Sequence, residues 1–258
     1  MADDVDMTRI PVLEIPVDDP ETARIAAAHA DRLEVCRDLE AEGLTPTPEF
    51  LAGIIEASRV DGRRPEIAVV FQEIPPPDDR RVVGPSDFAG RPRDLERLEA
   101  LAPAFAEAGA GSIVLGFVDD FGYPDVESVS AAVSIVERHG MRIAFHRAFD
   151  LAADPVRAVE RLIELGVDRT LAAGSSGYDA SSATMEDRVA RIGIAAEAIG
   201  DREFAIVPCG GVRSTNAAQF AVVTPHVHAS CRRRPSAFEL GGFDEEEAAA
   251  LRRCVHPD

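Results

Sequence analysis

The chain has 258 residues, 46% hydrophobic but only 5% aromatic and without Trp, which is enough for one sizeable core built mainly from Val, Ile, Leu and Ala. Acidic residues number 46 against 27 basic ones, all of them Arg, and the formal net charge of -19 disfavours nucleic acid and anionic membrane surfaces as partners. With no Lys anywhere, a Schiff-base aldolase is excluded, because that mechanism needs a Lys amine. The acidity by itself is also explained by an organism-wide bias, such as a GC-rich genome or a salty cytoplasm. Cys36, Cys209, Cys231 and Cys254 form no C-x-x-C pair, and a chain of this size needs no staples, so a reducing cytoplasm is expected. The acidic tail 1–9 has neither the basic nor the apolar region of a secretory signal. No apolar run approaches the roughly 18 residues of a membrane span.

Short apolar runs alternate with longer helical patterns. Strands are expected at 12–17, 32–36, 67–72, 112–117, 142–146, 170–173, 204–208 and 227–229, the eight that a closed (β/α)8 barrel requires. The first is followed by Asp19-Pro20, an N-cap with Pro at the first helical position. A long loop, 73–91, follows the third strand, and loops of that length commonly act as lids or flaps. Val126, Val129, Val133 and Val136 make one apolar helix face before the fifth strand, and Val156, Val159, Leu162 and Ile163 another after it. Asp154-Pro155 starts the second of these helices, and Gly140 and Gly166 end the two. After the seventh strand comes Cys209-Gly210-Gly211-Val212, then a helix starting near Ser214-Thr215-Asn216; Asp244 with Glu247 reads as a capping-box-like start of the last helix. An open doubly wound sheet shares the alternation but usually carries a glycine-rich fingerprint after its first strand. Here that place reads Pro16-Val17-Asp18-Asp19-Pro20, so the fold class is read as α/β, a single-domain TIM barrel over 1–258.

In such a barrel, chemistry sits at the C-terminal ends of the strands. The fifth strand ends in Phe145-His146-Arg147-Ala148-Phe149-Asp150, which makes His146 a candidate acid or base. Arg147 and Asp150 either orient a substrate or pair with each other. Glu14 and Glu34 lie inside apolar strands, where an ionised carboxylate needs a partner. Either one of them is a general base with a shifted pKa, or it is a structural partner of Arg32 or Arg147. Period-two alternation puts Glu34 and Cys36 on one face of strand two, and His226 and His228 on one face of strand eight. Strands one and eight are neighbours in a closed barrel, which lets these groups converge. His226-x-His228-x-x-Cys231 has the residue types of a soft or borderline metal site within reach of Cys36; the alternative is one positioned His with incidental neighbours. Gly210-Gly211 suits an anion held by backbone N–H groups, and equally a tight turn that needs glycine for its geometry.

Four blocks resemble the CutC family, named for copper homeostasis. They are Arg32-Leu33-Glu34-Val35-Cys36 running on to Gly43-Leu44-Thr45-Pro46-Thr47, then residues 145–150, then Pro208-Cys209-Gly210-Gly211-Val212, then His228-x-Ser230-x-Arg232. The resemblance implies a cytoplasmic, often oligomeric TIM barrel associated with copper handling. Its candidate copper ligands are cysteines at the ends of the first two strands. Only the second stands here, as Cys36; where the family pattern is like Met-Glu-Val-Cys, this chain reads Leu13-Glu14-Ile15-Pro16. The family's Met-Ile-Arg-Pro-Arg after strand three has become Val70-Phe71-Gln72-Glu73-Ile74-Pro75, so an anion contact from that pair is lost or rebuilt from Arg80 or Arg81. His226 and Cys231 stand where the family tends to have Glu and Ala, which marks a divergent member. Two functions are expected from this. One is a copper-handling protein that binds Cu(I) through Cys36, His226, His228 and Cys231, since soft thiolate and imidazole ligands suit that ion. The other is a lyase or isomerase acting on a small phosphorylated metabolite. In that case Glu14 or Glu34 and His146 are acid and base, Arg147 and Asp150 assist, and Gly210, Gly211 and Ser230 cradle the anion.

Overall fold

The computed structural model describes residues 11–60, 62–233 and 241–257; the acidic tail 1–9 lies outside them. Eight parallel strands alternate with eight helices: β1 Leu13–Val17, α1 Pro20–Ala26, β2 Arg32–Val35, α2 Pro48–Ala57, β3 Glu66–Val70, α3 Pro92–Ala108, β4 Ser112–Leu115, α4 Val126–Glu137, β5 Arg142–Phe145, α5 Pro155–Glu164, β6 Arg169–Ala172, α6 Met185–Ile199, β7 Ala205–Pro208, α7 Ala217–Phe220, β8 Val227–His228 and α8 Glu245–Val255. The ladder runs β7-β6-β5-β4-β3-β2-β1-β8, so β1 and β8 are neighbours, in register Leu13 with Val227 and Glu14 with His228. The seam of this nearly closed barrel lies between β7 and β8. There Thr224, just ahead of β8, donates its hydroxyl to Ile206 O at 2.9 Å.

Alternation along each strand sorts side chains into two layers. Leu13, Ile15, Leu33, Val35, Ile67, Val69, Ile113 and Ile143 point outward into the main core under the helices. Each fully buried Leu or Ile there contributes on the order of 1.5–3 kcal/mol. Inside the barrel, Ala68, Val70, Val114 and Ala144 form one small cluster and Leu171, Ala205 and Val207 another. Small side chains crowd the axis, which explains a core with so few aromatics.

The caps follow the expected chemistry in most places. Asp19 accepts from Thr22 N at 2.8 Å, and Asp154 accepts from Val156 N at 3.0 Å. Gly140 and Gly166 adopt φ of 73° and 81° after α4 and α5, the left-handed conformation that ends a helix at least cost in glycine. Three details differ from expectation. Val126 is 51% exposed, because it is the first residue of α4 and the apolar face begins one turn later at Val129. The helix expected from 214 begins at Ala217 and lasts four residues. At α8 the reciprocal box does not form. Asp244 accepts from Glu247 N, but the Glu247 carboxylate accepts from both Ser214 N and Ser214 Oγ at 2.8 Å, tying α8 to the loop after β7. No described helix is long and apolar enough to cross a membrane.

Candidate functional site at the barrel mouth

At the C-terminal ends of the strands lies a solvent-open cavity with about 980 Å³ of empty space, lined by residues that include Glu34, Gln72, His146, Arg147, Gly210, Gly211, His228 and Ser230. Its floor rests on a buried ionic network. Arg32, 1% exposed, holds Glu14 Oε2 with its Nε at 2.5 Å and donates from Nη2 to Ser112 Oγ at 2.6 Å, while Nη1 meets Glu66. Glu14 Oε1 in turn lies 2.6 Å from His228 Nδ1. Burial alone raises a carboxylate pKa, but the Arg32 guanidinium and the His228 contact win, and Glu14 is lowered to about 2. Burial opposes a charge on His228, yet the adjoining Glu34 and Glu14 carboxylates raise its pKa above the ordinary value. Glu34 is different. It is 7% exposed, and no hydrogen bond or ion pair from its carboxylate occurs among the described residues. Burial and the Glu14 charge outweigh His228 and Arg32, and its pKa rises to about 7.

His146 forms part of the wall through a fixed geometry. Its Nδ1 accepts from Ala148 N at 3.1 Å, which leaves Nε2 to donate to Gln72 Oε1 at 3.1 Å. The Gln72 amide is oriented by its own donation from Nε2 to Ile74 O at 2.6 Å. Phe88, from the loop after β3, meets the imidazole edge-on at 5.1 Å. Gly116 makes room for it, since a Cβ there would lie 2.0 Å from the ring. Desolvation lowers His146 to about 4, so the ring is neutral, with both nitrogens engaged.

Arg147 lies over the Tyr178 ring at 4.2 Å and donates to Tyr178 O; its Nη1 is 3.6 Å from Glu42 Oε2. Glu42 also pairs with Arg80, which lines the cavity, whereas Arg81 is exposed and pairs with Asp79. Of the two arginines expected to rebuild the pair lost after strand three, only Arg80 lines the cavity. Asp150 does not line the cavity. Its two oxygens accept from Ala173 N at 2.9 Å and Gly174 N at 3.1 Å, so it anchors the end of β6. Gly210 and Gly211 take φ of 70° and 89°, and a Cβ on Gly211 would meet nothing; both residues line the cavity.

The expected soft-metal set does not assemble. Cys36 packs inside the barrel with Ala68, Val70, Val114 and Ala144, where burial pushes its thiol up. Cys231 turns at a φ of 50° into the outer core, and burial raises its thiol to about 12. His226, 2% exposed, precedes β8 and does not line the cavity. Only Glu14, Glu34 and His228 place metal-ligating atoms within 4.8 Å of one another among the described residues. Two carboxylates and an imidazole do not fit Cu(I), which takes thiolate and thioether ligands. Sequence reasoning missed Glu42, Tyr178 and Arg213 in the cavity wall. Only Glu42 had a signal, its place beside the Gly43-Leu44-Thr45-Pro46-Thr47 block.

The family model described as the CutC family matches residues 11–232. CutC of Sinorhizobium medicae is 30% identical over 252 residues, covering 96% of this chain and 91% of that protein. CutC of Histophilus somni is 31% identical over 163 residues, and that match spans 60% of its length. Among solved structures, the protein from Streptococcus agalactiae named copper homeostasis protein CutC superposes with a TM-score of 0.71, at 20% identity, over 85% of this chain and 98% of that one. Thiamine phosphate pyrophosphorylase from Pyrococcus furiosus, with a TM-score of 0.57 at 11% identity, shares the barrel alone. With the family's blocks standing at the strand ends that line this cavity, the chain belongs to the CutC family.

Proposed function

We propose that this protein serves copper homeostasis, the role that its Streptococcus agalactiae relative carries by name, that it does so in the cytoplasm, and that the barrel mouth is where it works. One observation supports the mouth as the working site. A single cavity is lined both by Glu34, a buried carboxylate without a hydrogen-bond partner among the described residues, and by the Gly210–Gly211 turn. Buried polar groups are normally satisfied within the protein, so one left toward an open cavity is kept for something that enters it. The free thiols of Cys36, Cys209, Cys231 and Cys254 suit a reducing compartment. They do not make a Cu(I) centre, and the copper role is assigned to chemistry at the mouth rather than to a stored Cu(I) ion. A bacterial strain lacking its own CutC, plated over a copper series, tests this. Tolerance returns with the wild-type chain and not with Glu34→Gln; equal rescue by both would remove the cavity from the copper role.

A second reading, a lyase or isomerase acting on a small phosphorylated metabolite, is favoured by the rim. Gly211, Ser230 and Arg213 border the same space, and loops after the seventh and eighth strands are where barrels hold phosphate. Arg147 adds positive charge, and Glu34 is the group placed to take a proton. His146, with both nitrogens engaged, orients the wall instead.

A further inference from the structure

The Glu34 carboxylate points to a more specific ligand than either reading of the mouth names. It is 7% exposed and lines the cavity, yet among the described residues its carboxylate makes no hydrogen bond and no ion pair. Its oxygens are open to the cavity rather than sealed in the protein, so the group is placed to meet whatever enters that space. Its neighbours narrow the ligand. Glu14 Oε1 and His228 Nδ1 sit 2.6 Å apart, and one ligand atom from each of Glu14, Glu34 and His228 lies within 4.8 Å of the other two.

We propose that Glu14, Glu34 and His228 bind a divalent cation of the zinc class, open on the cavity side to water or to an anionic ligand held by the rim. Two oxygens and an imidazole nitrogen suit Zn²⁺, Mn²⁺ or Cu²⁺; Arg32 at 2.5 Å and Arg169 at 3.9 Å already face Glu14 Oε2, so Glu34 supplies the uncompensated negative charge. The Arg32 Nε contact to Glu14 Oε2 at 2.5 Å orients the ligating carboxylate from behind, as outer-shell partners of metal ligands do. Two ions are disfavoured. Cu(I) lacks thiolates here, and Mg²⁺ prefers oxygen ligands with several waters retained.

The inference rests on the mouth being the working site but needs no part of the copper role. Titration calorimetry on the full chain with Zn²⁺, Mn²⁺ and Cu²⁺, and with Cu⁺ against a competing chelator, tests it. One equivalent of Zn²⁺ or Cu²⁺ binds to the wild type; Glu34→Gln and His228→Ala each weaken it at least about 100-fold, and Cys36→Ser changes it less than twofold. Glu34→Gln removes no protein contact, and an unchanged melting curve establishes that it folds. Co²⁺ added to the wild type gives the intense visible bands of four- or five-coordination. Failure of Zn²⁺, Mn²⁺ and Cu²⁺ to bind at millimolar concentration, or undiminished binding by Glu34→Gln, overturns the site. Failure of the copper rescue with Zn²⁺ still bound overturns only the copper role.

Discussion

His146 shows how a single residue changes meaning between sequence and structure. As a His at a strand end it reads as an acid or base, and the alternation of strands and helices places it at the mouth, where the structure has it. The hydrogen bonds then engage both ring nitrogens, with Ala148 N at 3.1 Å and Gln72 Oε1 at 3.1 Å. No spacing in the sequence announces the Gln72 partner, because it comes from the segment just after β3, 74 residues away. The consequence is measurable. His146 is lowered to about 4 in the native state and titrates near 6.5 when unfolded. The unfolded chain therefore takes up this proton first, and stability is lost as pH falls from about 6.5 to about 4, by at most about 3 kcal/mol for this group. Asp150, raised to about 6 by burial, contributes with the opposite sign over the same window, so wild type alone is a poor probe. The difference between wild type and His146→Asn isolates the histidine, since Asn still accepts at this cap position. The advantage of wild type measured by urea unfolding at pH 7 should shrink steadily down to pH 4. A constant difference across that range would mean that His146 takes up its proton as readily in the native protein as in the unfolded chain.

At the level of elements, period-two alternation decided which groups could meet, and strand adjacency decided which did. Glu14 and His228 are register partners on β1 and β8, and Glu14 is the partner of Arg32 on β1 and β2. Alternation sends all three inward, which was legible once eight strands were counted. Cys231 lay beyond that rule. It stands after β8 at a φ of 50°, and once the backbone leaves the strand the inward-outward period no longer holds. The core network carries its own prediction. Arg32→Met leaves Glu14, 1% exposed, with only Arg169 at 3.9 Å and His228 at 2.6 Å. Breaking a buried pair from one side costs on the order of 3–5 kcal/mol. Arg32→Met with Glu14→Gln removes both charges, and the double variant should be more stable than the sum of the single losses by over about 1 kcal/mol. Additive losses in denaturant unfolding would show that the two side chains do not act as a pair.

For the whole molecule, composition and fold pull in different directions. The barrel was readable from eight apolar runs, because a parallel sheet buried on both faces leaves near-continuous hydrophobic strands between amphipathic helices. The charge of -19 belongs to no element and to no site. It is spread over the helical exterior, as in Glu245, Glu246 and Glu247 in the first turn of α8, while the few deep cations, Arg32 foremost, neutralise acids inside. Like charges on a compact surface repel one another more than on an expanded chain, so they destabilise the fold at low ionic strength. At 0.01 M salt the Debye length is about 30 Å and most of the surface feels that repulsion; at 1 M it is about 3 Å. The buried Arg32–Glu14 contact is shielded from ions and should not change. Sodium chloride between these limits should therefore stabilise the protein by about 1–2 kcal/mol, a rise of roughly 3–6 °C in melting temperature for a domain of this size. The Arg32→Met variant should show the same rise, because its lost contact lies out of reach of the salt. A melting temperature that falls with sodium chloride would mean that attractive surface pairs such as Arg138–Glu99 at 2.9 Å outweigh the repulsion of the excess acids.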